Sequence, residues 1–106
     1  MVVSQGEVWL VSFDPSVGSE IQKTRPALVV SPDEINGLRT VILAPMTTKG
    51  FEAPFRPACT FQKKEGQIAL DQIKSLDKRR LVKRLGKIHP KTLDNALSIL
   101  RTMFAG

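Results

Sequence analysis

Arg25 ends a polar stretch of about ten residues and stands directly before the apolar run Pro26-Ala27-Leu28-Val29-Val30. A guanidinium at such a junction can be held against a rigid strand. Its planar fork matches the oxygens of a phosphate and stays charged at any working pH. Glu20, in Gly18-Ser19-Glu20, is a carboxylate close enough in sequence to orient Arg25 or to accept a proton. Thr47 follows Pro45 at the end of another apolar run. Its hydroxyl could donate to a phosphate oxygen, or could cap a turn. Asp71 and Gln72 could hydrogen-bond a ligand, or form a polar pair at a strand end. Phe51 and Phe55, in and beside a segment with Gly50 and Pro54, are the candidates for stacking on a planar base. The chain has one histidine, His89, and one cysteine, Cys59. That pair cannot build a structural zinc site, an internal disulfide or a two-imidazole acid–base couple. His89 reads as a helix cap and Cys59 as a small buried side chain. No metal or other cofactor is expected.

Charge narrows the partners. Lys and Arg number 16 against 10 Asp and Glu, a net charge of +6 over 106 residues. Residues 1–60 hold five bases against six acids, and residues 61–106 hold eleven against four. The excess is densest from residue 74 to residue 91, where Lys74, Lys78, Arg79, Arg80, Lys83, Arg84, Lys87 and Lys91 face only Asp77. Such a block favours a polyanion-binding face, and its 78–87 run is the candidate for phosphate tracking. With 42% hydrophobic and 25% charged residues, the composition is that of an ordinary globular protein. One domain over residues 1–106 is expected. No apolar run approaches the ~20 residues of a bilayer span, and residues 1–7 carry no signal-peptide pattern. A cytoplasmic protein without a membrane partner is the expectation.

The elements that must position these residues are mostly strands. Residues 7–13, 26–30 and 40–44 are apolar and β-branched or aromatic. The first is closed by Asp14-Pro15, the second is followed by a one-turn helix start at Ser31-Pro32-Asp33-Glu34 stopped by Asn36-Gly37, and the third is stopped by Pro45. Two loops, 16–25 and 46–54, separate the chemistry-bearing residues. Residues 55–61 read as an edge strand because of Pro57. A turn at 63–66 leads into a strand over 67–76, and 81–88 is the last strand. The period then changes: Leu93, Ala96, Leu97, Leu100, Met103 and Phe104 line one face of a helix starting at Pro90. Strands followed by one helix predict a mainly β protein, an antiparallel barrel or half-barrel with the helix laid on the sheet.

Several blocks in order carry a resemblance. They are Gly6-Glu7-Val8-Trp9-Leu10-Val11, Asp14-Pro15, Gly18-Ser19-Glu20, and Arg25 through Pro32. Pro45-Met46-Thr47-Thr48 and Ala69-Leu70-Asp71-Gln72-Ile73-Lys74-Ser75 follow. In these the chain strongly resembles the MazF/PemK toxins of bacterial toxin–antitoxin pairs, from Gly6 to the terminal helix. The resemblance implies a small SH3-like antiparallel barrel with a C-terminal helix, acting as a homodimer. It implies a metal-independent, sequence-specific endoribonuclease on single-stranded RNA. It also implies a cognate MazE-like antitoxin whose acidic C-terminal tail lies along the RNA-binding surface.

Cleaving RNA without a metal uses the ribose 2′-OH as nucleophile and leaves a 2′,3′-cyclic phosphate and a 5′-OH. A base, a charge stabiliser and an acid are needed. By resemblance Arg25 is the catalytic arginine, in an electrostatic role, and Thr47 the active-site threonine beside Thr48. Glu20 lies in the loop bordering the RNA groove. Thr48, Asp71, Gln72, Lys74, Phe51, Phe55 and Arg84 are the substrate-binding candidates. Ala69 stands where one branch of the family has an arginine two residues before the aspartate, so that branch's general acid has no counterpart here. Two other readings stay open: a gyrase-inhibiting toxin of the CcdB type on the same fold, and a barrel that binds RNA without cutting it.

Overall fold

Strand β1 (Glu7–Ser12) lies second from one edge of the sheet, pairing antiparallel with β2 (Thr24–Val29) on one side and with the edge strand β7 (Leu81–Lys87) on the other. The architecture is that of a computed structural model describing residues 1–106. Beyond β2 lies β3 (Thr40–Thr47), the longest strand. Its far edge is shared. Thr40 to Leu43 pair with β6 (Lys74–Asp77), and Met46 and Thr47 pair with β5 (Lys64–Ile68). A hairpin joins β5 to β4 (Ala58–Phe61) at the sheet's end. A one-turn helix α1 (Asp33–Asn36) links β2 to β3, and helix α2 (Pro90–Met103) closes the chain. Seven antiparallel strands curl into a half-barrel with one long C-terminal helix, as expected.

Both faces of the sheet are buried, which is why the strands read as continuous apolar runs rather than alternating ones. Val8, Leu28, Ala44 and Met46 point to one side, with Cys59, Ile68, Leu70, Ile88 and Ala96 of α2. Trp9, Val11, Ala27, Val29, Val41 and Leu43 point to the other, with Val3, Phe13 and Leu81. The period of 2 along each strand sorts the residues between the two clusters. Helix α2 starts where expected. Pro90 is its first residue, and His89 Nδ1 accepts a hydrogen bond from the Lys91 N–H at 3.1 Å.

Four expectations need correction. First, β3 runs through Pro45 instead of stopping there. The Pro45 carbonyl accepts the Ala69 N–H at 2.8 Å, on the edge where β3 passes from β6 to β5. The missing proline N–H faces that break in the ladder, so no sheet hydrogen bond is lost. Second, the single strand expected over 67–76 is two strands separated by a 3-10 turn at Leu70–Gln72, which buries Leu70 and leaves Asp71 exposed. Third, the turn expected at 63–66 is the two-residue loop Gln62-Lys63, with φ of 50° and 66°. Gly66 is instead a strand residue, where a Cβ would lie 2.6 Å from the Thr47 carbonyl oxygen. Fourth, the helical stripe leaves the sheet after Leu100. Met103 is 38% and Phe104 71% exposed.

Candidate nucleic-acid site

The strand register builds the centre of the site. Val11 pairs with Arg25, Thr47 with Gln67, and Gln67 with Ala58. Ala27 and Pro45 are the last pair of the β2–β3 ladder, and Arg25 and Thr47 each lie two residues beyond it. An arginine and a threonine far apart in sequence are thus brought to one end of the same strand pair. Both border a groove of about 340 Å³ with Thr48, over an apolar floor that includes Leu10, Met46 and Phe61. Arg25 is not in the loop, as the sequence suggested, but in β2 itself. Its Nε donates to the Gln22 carbonyl at 2.9 Å, and its two terminal nitrogens have no protein partner. An arginine anchored at one nitrogen and open at two is suited to a bidentate grip on a phosphate. Thr47 is nearly buried. Its hydroxyl donates to the Lys49 carbonyl at 2.7 Å and accepts the Lys49 N–H at 3.2 Å, so at rest it caps the turn into the second loop. Cys59 lies in the groove wall, where burial pushes its thiol pKa up and keeps it a protonated, weak nucleophile.

The other candidates form a frame beside the groove. Glu20 does not touch Arg25. Its Oε1 accepts the Val17 N–H at 2.6 Å and its Oε2 pairs with Lys74 Nζ at 3.2 Å. The Val17 N–H, with Lys74 behind it, holds the Glu20 carboxyl below the usual glutamate range. Gln72 Oε1 accepts the Ile21 N–H at 2.9 Å. Asp71 receives Arg56 through a double hydrogen bond, Nε to Oδ1 at 2.6 Å and Nη2 to Oδ2 at 3.0 Å. Residues 71–74 therefore tie down both loops, the first through Gln72 and Lys74, the second through Asp71.

Arg84 stands apart. It alternates with Leu85, which lines the groove, so its side chain leaves β7 on the other side. There its Nε donates to Glu7 Oε2 at 2.7 Å. Burial raises the Glu7 carboxyl pKa, but the Ser4 N–H, the Trp9 indole N–H and Arg84 outweigh it and hold it low. The basic run is likewise partly spent on the fold. Lys78 donates to the Asn36 carbonyl, Arg79 pairs with Asp77 at 3.0 Å, and Arg80 donates to the Asp14 carbonyl. Phe51 is 52% exposed and meets Phe55 edge-on at 6.1 Å between ring centroids.

Two residues at the site had no sequence signal. Arg56 is buried, with its guanidinium 4.4 Å from the centre of the Phe51 ring. Gln67 neighbours Thr47 and donates from Nε2 to the Phe51 carbonyl at 2.9 Å. Nothing in the spacing marks either residue; only the folded sheet brings them to the loop.

The fold and site define a small basic half-barrel protein with an open arginine in a groove fit for a polyanion. The chain belongs to the PemK-like, MazF-like toxins of type II toxin–antitoxin systems, whose family model matches residues 4–104. It is 33% identical over 108 residues to the Escherichia coli "Endoribonuclease PemK", covering 95% of this chain and 81% of that protein. It is 35% identical over 94 residues to the Escherichia coli "Endoribonuclease toxin MazF", covering 87% and 85%. The crystal structure of MazF from Deinococcus radiodurans superposes with a TM-score of 0.86 at 27% identity, covering 97% of this chain and 96% of that one. The MazE–MazF crystal structure from Deinococcus radiodurans matches with a TM-score of 0.77 at 26% identity, covering 99% and 97%.

Proposed function

We propose that this protein is the toxin of a type II toxin–antitoxin system and an endoribonuclease that cuts single-stranded RNA at a short motif. The observation that carries the reading is Arg25, open at two nitrogens and lining one groove with Thr47. Support comes from relatives named as endoribonucleases. In the reaction the ribose 2′ oxygen attacks the adjacent phosphorus, the P–O5′ bond breaks, and 2′,3′-cyclic phosphate and 5′-OH ends result. Arg25 grips the phosphate and stabilises the negative charge that grows on its oxygens. Thr47 exchanges its Lys49 carbonyl for a phosphate oxygen when RNA enters. Glu20 lies too far into its own ion pair to act on Arg25, and its lowered pKa makes it a weak base in that state. Because the nucleophile belongs to the substrate, no metal is needed to generate one, and Arg25 supplies the positive charge at the phosphate.

A MazE-like antitoxin with an acidic tail is the proposed neutralising partner, supported by the solved MazE–MazF complex of the Deinococcus relative. Homodimerisation is proposed as well. The exposed Val82 and Phe104 are apolar surface that a second copy would cover. The cytoplasm, where mRNA is translated, is the proposed site of action. No helix is long and apolar enough to cross a membrane.

The chemistry is tested on an oligonucleotide containing one mapped cut. Cleavage persists in excess EDTA and stops when the nucleotide 5′ to the cut lacks its 2′-OH. Cleavage of that 2′-deoxy substrate contradicts internal attack, and loss of cleavage in EDTA that a divalent cation restores contradicts the metal-free step.

A further inference from the structure

Phe51 is a large apolar side chain on a loop, half exposed, yet it is held from three directions. Its carbonyl accepts from Gln67 Nε2 at 2.9 Å. The preceding Gly50 packs so closely on the Gln67 amide that a Cβ there would lie 1.8 Å from Oε1. One face of the ring rests on the Arg56 guanidinium at 4.4 Å, and Phe55 meets the ring edge-on. Arg56 is itself 7% exposed, with Nε and Nη2 both engaged by Asp71. That double hydrogen bond compensates the buried charge and occupies the edge a phosphate would use. Beside Nη1, the flat face of the guanidinium remains, and the ring lies on it.

Phe51 lines a second, more polar groove of about 950 Å³ with Thr48, Gly50, Glu52, Gln67, His89 and Thr92. Thr48, Cys59, Glu65, Gly66 and Gln67 border both grooves. Phe51 is three residue steps along the chain from Thr48, at most about 11 Å when fully extended. A nucleotide next to one held at Arg25 and Thr47 is within that reach.

We infer that Phe51 is a base-stacking platform of the RNA groove, with Arg56, neutralised by Asp71, as the positioning residue that backs its ring. The inference rests on the nuclease reading for its substrate. An exposed aromatic face fixed from behind stacks a base without paying to order the loop, and stacking accepts any base. The platform therefore adds affinity beside the cut rather than choosing the motif.

The test combines kinetics with a spectroscopic readout. Phe51→Leu keeps apolar bulk but cannot stack, and is expected to raise KM about tenfold more than it lowers kcat. Arg56→Met does the same, and adding it to Phe51→Leu raises KM no further, because both act through one ring. Phe51→Trp places an exposed indole on the platform, distinct from the buried Trp9. Its emission is quenched by a 2′-O-methyl RNA that cannot be cut. If wild type cuts RNA while Phe51→Leu keeps its KM and the Phe51→Trp emission ignores RNA, the inference is overturned and the nuclease reading stands. If wild type leaves RNA intact while the emission is still quenched, the nuclease reading falls and the platform stands. Intact RNA with unmoved emission overturns both.

Discussion

At the scale of single residues, the site depends on a close approach between two backbones. Gly66 in β5 lies against the Thr47 carbonyl, and a Cβ at residue 66 would sit 2.6 Å from that oxygen. Backbone on both sides leaves no flexible side chain to yield. Gly66→Ala is therefore expected to push β5 away from Thr47, costing about 1–3 kcal/mol of stability. It should also lower cleavage by more than the loss of folded protein explains. Thermal unfolding and initial rates on the same preparation check this. An alanine variant as stable and as active as wild type would contradict the packing argument. The residues best seen in the sequence were those whose chemistry is intrinsic. Arg25 and Thr47 are phosphate-binding types by their side chains alone, and the fold brings both to one groove. Arg56 and Gln67 escaped because their roles come from what touches them: Asp71 and Phe51 for one, the Phe51 carbonyl for the other. Arg84 misled for the same reason. Its place in a basic run says nothing of which side of β7 it leaves, and its partner is the carboxylate of Glu7.

At the scale of elements, the short segment at residues 70–74 brackets both loops around the groove. The 3-10 turn buries Leu70 and turns Asp71 and Gln72 outward to Arg56 and Ile21, and Lys74 then reaches Glu20. Removing the Gln72 acceptor frees the Ile21 N–H. Gln72→Leu should raise amide exchange across residues 17–21 by about tenfold or more. Global stability should change by less than about 1 kcal/mol, because the first loop is mostly exposed. Unchanged exchange would show that the loop does not need this latch. The Glu20 half of the latch depends on pH with a definite sign. A carboxyl held low in the folded state contributes its pairing above the ordinary glutamate pKa and loses it as pH falls through the lowered value. Strands β1, β2 and β7 and helix α2 were legible from apolar runs, turn residues and the change of period at Pro90. The break at 69–73 was not. Its mixture of apolar and polar residues directly after a turn reads as strand, and only the crossing from β6 to β5 along β3 demands a turn there.

At the scale of the whole molecule, the two core clusters lie on opposite faces of one sheet, and Trp9 belongs to the face where Glu7 and Arg84 meet. Trp9 is the chain's only tryptophan, so its emission reports the protonation of Glu7 directly. The Glu7 pKa is lowered in the fold, so its contribution to stability is complete at neutral pH. That contribution is lost as pH falls through the lowered value. The emission change should have its midpoint below the ordinary glutamate pKa of about 4.3. Arg84→Gln should move that midpoint upward. A midpoint at or above the ordinary value, indifferent to Arg84→Gln, would contradict the assignment. The charge asymmetry read from the sequence has a similar structural meaning. Part of the basic second half is used internally by Lys74, Lys78, Arg79, Arg80 and Arg84. Of the two cations left open in the groove, Arg25 comes from the nearly neutral first half and Lys64 from the basic second.

The central claim is that Arg25 stabilises the charge formed as RNA is cut. It is tested by following a long single-stranded RNA in excess EDTA with wild-type protein and with Arg25→Ala, both of verified fold. Discrete fragments ending in 2′,3′-cyclic phosphate and 5′-OH, with the rate falling about a hundredfold or more in the variant, are the predicted result. RNA left intact by wild type, or cut equally well by both proteins, would contradict the account.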